Sequence, residues 1–65
     1  MVYSVGDLVE FEIRGKMRQG IITKIKYHAF DEDEFIIKDK DFYSVTESNI
    51  IELVQNKWGV NKNGR

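Results

Sequence analysis

Two stretches decide the fold class: Val5-Gly6-Asp7-Leu8-Val9-Glu10-Phe11-Glu12-Ile13 and, shortly after, Gly20-Ile21-Ile22-Thr23-Lys24-Ile25-Lys26-Tyr27. From Val9 to Ile13 apolar and acidic residues alternate, so Val9, Phe11 and Ile13 share one face and Glu10 and Glu12 the other. A period of two belongs to a strand with one face buried, because successive side chains of extended backbone point to opposite sides. Gly6-Asp7 just ahead is a turn signal. Arg14 to Gly20, with a glycine at each of positions 15 and 20, reads as a flexible hairpin connection.

Gly20 opens the second strand, Ile21–Tyr27, whose apolar spacing is irregular. Ile22 and Ile25 are three apart, and Ile25 and Tyr27 two apart. A β-bulge near Thr23-Lys24 puts all three on one face and bends the strand. A helix is the alternative, but seven residues rich in β-branched side chains argue against it. Asp31-Glu32-Asp33-Glu34 is too charged for a core and reads as a solvated loop. Phe35–Lys38 is a third strand, Asp39-Lys40-Asp41 a turn, and Phe42–Val45 a fourth strand. Thr46–Asn49 suits a single 3-10 turn, and Ile50–Val54 is the last strand. Five short strands joined by tight turns predict an all-β domain over residues 1–54 that closes into a barrel, hiding its edges. The expected core is Val5, Val9, Phe11, Ile13, Ile22, Ile25, Tyr27, Phe35, Ile37, Val45, Ile51 and Leu53. Residues 55–65 are polar, contain no acid and carry three basic residues, the composition of a flexible, disordered basic tail.

Composition narrows the function classes. Among the 65 residues there is no cysteine, so neither a disulfide framework nor a cysteine zinc site supplements the core. No apolar run approaches the roughly 20 residues that span a bilayer. Met1–Val5 lacks the basic-then-apolar pattern of a signal peptide, and a cytoplasmic location with no membrane partner is the expectation. His28 is the sole histidine; with no nucleophile–histidine–acid pattern, catalysis is not expected, nor any metal or cofactor. So small a barrel fills its interior with side chains, leaving no catalytic pocket. The expected class is a non-catalytic binding module.

The pattern Val5-Gly6-Asp7-Leu8-Val9 into strand one, Gly20-Ile21-Ile22-Thr23-Lys24-Ile25 into strand two and a 3-10 turn before Ile50-Ile51-Glu52-Leu53 resembles the SH3-like small barrels, the KOW and Tudor types in particular. The resemblance spans Ser4 to Val54 and implies a five-stranded SH3-like barrel, a scaffold on which nucleic-acid, peptide and protein binding all occur. In its size and Lys/Asn-rich tail the chain also looks like short uncharacterised bacterial and phage barrel proteins.

Charge is segregated. Arg14, Lys16, Arg18, Lys24 and Lys26 stand between residues 14 and 26 with no acid among them. Clusters of this kind bind phosphates through charge-assisted hydrogen bonds and counterion release, and the KOW resemblance implies RNA at this hairpin. Against this, cations also keep a strand edge soluble, and residues 1–54 hold 7 basic and 11 acidic side chains, a net of −4. The aromatics Tyr3, Phe30, Phe42 and Tyr43 are candidates, by the Tudor resemblance, for a cage around a methylated side chain or, with Tyr27, for stacking bases. The bland alternative is core closure at the barrel ends, Tyr3 included. Trp58, alone in the polar tail, is a candidate anchor for a larger protein. A strand edge and the acidic run Asp31–Glu34 are the other surfaces on which such docking would rest.

Overall fold

The computed structural model describes residues 3–60; residues 61–65 of the expected tail lie outside the described residues. The alternating stretch forms β1 (Leu8–Ile13), with Val9 and Phe11 wholly buried. Arg14 and Gly15 then turn the chain at φ +52° and +77°, and Ile13 faces Lys16 across the ladder. Two consecutive positive φ values make the two-residue hairpin turn whose twist matches that of its strands. The flexible connection expected over Arg14–Gly20 is therefore a tight turn, and β2 (Lys16–Lys26) begins directly after it. Sequence alternation missed its first half because the inward positions there are Lys16 and Arg18, not apolar residues.

β2 serves two partners. Lys16 to Ile21 pair with β1, and Ile21 to Lys26 pair with β3 (Glu34–Lys38). At the changeover a Cβ on Gly20 would sit 2.6 Å from the Lys38 carbonyl oxygen and 2.7 Å from Ile37 Cγ2. Only a residue without a side chain lets the two halves approach so closely. The ladder to β3 slips between Ile22 and Lys24. Thr23 is the extra residue, and its hydroxyl donates to the Ile36 carbonyl at 3.0 Å. Ile22 and Ile25 thus both face inward, as the predicted bulge requires. Glu34 opens β3, so it belongs to the sheet and not to the acidic loop before it.

β4 (Phe42–Thr46), a 3-10 turn (Glu47–Asn49) and β5 (Ile50–Gln55) complete the order β4-β3-β2-β1-β5, antiparallel throughout. The all-β architecture, its five strands and the 3-10 turn before the last agree with the expectation from sequence. The sheet wraps one core of Val9, Phe11, Ile22, Phe35, Ile37, Val45 and Ile50, an arrangement compatible with a small β-barrel-like fold. It is not closed by hydrogen bonds, since β4 and β5 do not pair. Both remain edges.

Three expected core residues are exposed: Val5 (50%), Tyr27 (75%) and Ile51 (48%). Val5 precedes the sharp turn at Gly6 (φ +98°), and Tyr27 lies just past the end of β2. Ile51 loses its place because β5 slips against β1 between Glu10 and Phe11, pairing Phe11 with Ile50 and Glu10 with Glu52. Ile50 takes the buried position instead. Ile13, Ile25 and Leu53 pack on the core while partly exposed, and so does Tyr3, edge-on to Phe35 at 6.0 Å.

Asp7, the buried acid, ties the two ends of the described chain. Its Oδ2 accepts from the Ser4 amide and its Oδ1 from the Lys57 amide, each at 2.8 Å. Its carbonyl accepts from the Ile22 amide at 2.9 Å. Residues 56–60 form a turn in which Gly59 donates to the Asn56 carbonyl and Asn56 to that of Val60. Among the described residues no helix is long and apolar enough to cross a membrane.

Candidate nucleic-acid interface

A concavity of about 470 Å³ lies between the β1–β2 turn and β4. Its lining is Ile13, Arg14, Lys16 and Arg18 on one side and Phe42, Tyr43 and Ser44 on the other. Three of the five predicted cations and two of the predicted aromatics therefore meet in one groove. No carboxylate lines it. The pleat explains the meeting. Lys16 and Arg18 occupy the same face of β2 as Ile22, but beyond the end of the apolar core, so they line the groove beside β4.

Arg18 is the most constrained of the three. Its guanidinium lies over the Tyr43 ring at 5.1 Å from the centroid. One Nη stands 3.5 Å from Asp39 Oδ2, at the outer limit of a hydrogen bond, with both side chains about one-third exposed. Its Nε is buried with no hydrogen-bond partner among the described residues. Arg14 holds a left-handed backbone conformation, which costs a side-chain-bearing residue about 1–2 kcal/mol. The two-residue turn shared with Gly15 imposes this conformation.

The rings differ in what they offer. Tyr43 is partly buried, with the Phe11 ring tilted against it at 5.8 Å and the Arg18 guanidinium over its ring. Phe42 is 65% exposed, with Lys38 Nζ at 5.0 Å from its centroid on one side. Tyr27 and Phe30 are also exposed, but they stand past the opposite end of β2, away from the groove. Trp58 is 78% exposed within the 56–60 turn, with Lys57 Nζ 5.2 Å from its ring centroid. None of these three joins the groove.

Lys24 and Lys26 pair with Ile36 and Glu34 on the outer face, because the bulge reverses the phase of β2. The five cations are thus divided between two faces. On that outer face Glu34 accepts from the Ser44 hydroxyl and lies 3.6 Å from His28 Nε2. The Ser44 bond, then the Lys26 charge and the His28 contact, hold its carboxyl below the ordinary glutamate range.

The acidic run has a structural task that sequence reasoning missed. Glu32 accepts from the Ser48 amide at 2.9 Å and from the Ser48 hydroxyl at 3.3 Å, fastening the loop to the 3-10 turn. Asp31 accepts from the Glu32 amide and Asp33 from that of His28. Among the described residues no three His, Asp or Glu side chains gather as a metal site requires. Comparison with protein-family models, with curated proteins and with solved structures finds no match.

Proposed function

We propose that the protein is a non-catalytic nucleic-acid-binding module of the SH3-like barrel type. The observation that carries this reading is the groove in which Arg14, Lys16 and Arg18 face Phe42 and Tyr43 with no carboxylate in the lining. Several cations in one groove suit a phosphate backbone, and an exposed ring beside them suits a base. The strand order, with the 3-10 turn before the last strand, supports the kinship with KOW-type barrels. The bias toward acid over residues 1–54 limits non-specific adhesion, so binding concentrates where the local field is positive.

Titration with labelled oligonucleotides at low and rising salt tests the proposal. Binding is expected at low salt, with a log–log slope of about −2 to −3 for three phosphate contacts. Replacing Arg14, Lys16 and Arg18 together by alanine is expected to abolish it while the chain still melts cooperatively, at a temperature lowered by loss of the Arg18–Tyr43 stack. Absence of binding by the intact chain at low salt overturns the reading.

A second reading, docking to a larger protein, is favoured by the two unpaired edges β4 and β5 and by exposed Trp58. It predicts a partner whose recovery is lost on Trp58→Ala.

A further inference from the structure

Resting on the reading of the groove as a phosphate-binding site, we infer that it takes a single strand in preference to a duplex. One base seats on Phe42, and Asp39 is the built-in competitor that sets how tightly Arg18 holds the adjoining phosphate.

The accounting of ring faces leads to the base. Of the two rings at the groove, Tyr43 is half-buried with Arg18 already over its ring, whereas Phe42 is largely exposed with Lys38 near its ring. A base reaches an open ring only when its own face is free, which duplex stacking denies and a single strand allows. The concavity, at about 470 Å³, falls in the range of pockets that enclose small ligands, room enough for a nucleotide and not for a helix.

Arg18 leads to the competitor. Stacking on Tyr43 fixes the plane of the guanidinium, and the 3.5 Å separation from Asp39 leaves that ion pair loose. The unpartnered Nε marks donor capacity that the fold does not use. A phosphate accepts from guanidinium in a two-pronged fashion. It therefore displaces the carboxylate from Arg18, and the negative charge of Asp39 then opposes it from the rim. Asp39 is held in its place by the turn in which its amide donates to the Asp41 carbonyl at 2.9 Å.

Fluorescence anisotropy of a short labelled single strand, with its duplex, inorganic polyphosphate and an acidic peptide as competitors, tests this on the full chain. The single strand is expected to bind about ten-fold more tightly than the duplex, the margin one stacked base supplies. Phe42→Ala should remove that margin and leave polyphosphate binding unchanged, while Phe42→Tyr restores it. Asp39→Asn should tighten both the strand and polyphosphate by about five-fold, the scale of a loose, partly exposed ion pair. Equal binding of strand and duplex, each dependent on Arg14, Lys16 and Arg18, overturns the inference and leaves the proposed function standing. So does a Phe42→Ala variant that keeps its preference, or an Asp39→Asn variant with unaltered affinity. Binding of the acidic peptide with no binding of either nucleic acid overturns both.

Discussion

The two connections that flank β2 carry opposite charges and treat them in opposite ways. At the β2–β3 loop the acids are absorbed by the fold: Glu32 fastens the 3-10 turn through Ser48, and Asp31 and Asp33 each accept from a backbone amide. At the β1–β2 turn Arg14 and Lys16 have no ion pair among the described residues, and Arg18 has only a loose one. Charge that satisfies backbone donors stabilises the fold, whereas charge left in a groove is available to a ligand. The difference separates scaffold from the proposed binding surface at the two ends of one strand.

Gly20 is where the two halves meet, and replacing it breaks the comparison most severely. Gly20→Ala is expected to lower unfolding free energy by about 2–3 kcal/mol, since the new methyl group meets a carbonyl and a core side chain. Urea denaturation would read the loss, and an unchanged midpoint would mean that the halves are not so tightly crossed. The next test separates the ends themselves. Glu32→Ala should cost about 1–2 kcal/mol, the loss of a charge-assisted bond to the Ser48 amide. Oligonucleotide affinity should stay the same; a fall in affinity would place the acidic end in the working surface.

Arg14→Asn sharpens the contrast from the other side. Asparagine tolerates the left-handed conformation better, so the variant should gain up to about 1 kcal/mol in a thermal melt while its affinity for a single strand falls. A variant that loses both would show the arginine to be structural.

The smallest effect concerns Glu34. Its folded carboxyl titrates below the usual range, so the stability it contributes is present above about 4.5 and is lost as pH falls through the lower folded value. Ser44→Ala removes the first cause of that depression. The Glu34 titration followed by NMR should then move upward toward the ordinary range, and the melting temperature should fall less between neutral and acid pH.

Much of the fold was legible because it rests on local alternation. Val9 to Ile13 reads as a half-buried strand from period alone, and the uneven spacing of Ile22 and Ile25 announces the bulge at Thr23. What escaped depends on partners distant in sequence. Ile50 displaces Ile51 from the core only because β5 slips against β1, and no spacing within Ile50–Leu53 reveals a slip defined by Glu10 and Phe11. The groove was half legible. The cation cluster and the aromatics stood out, but the division of Lys24 and Lys26 from Lys16 and Arg18 follows from the bulge phase. The loose Arg18–Asp39 pair joins residues 21 apart and leaves no local mark.

The carboxylate of Asp7, holding the amides of Ser4 and Lys57, spans 50 residues on its longer side. The strands from β1 to β4 follow one another as neighbours and zip by short hairpin closures. β5 alone must return across the whole chain to lie beside β1. Docking of that last strand is therefore the slow, long-range step in folding, because closing a large loop precedes the contacts that reward it. The Asp7 latch, which joins Lys57 to the turn before β1, therefore closes only once β5 is in place.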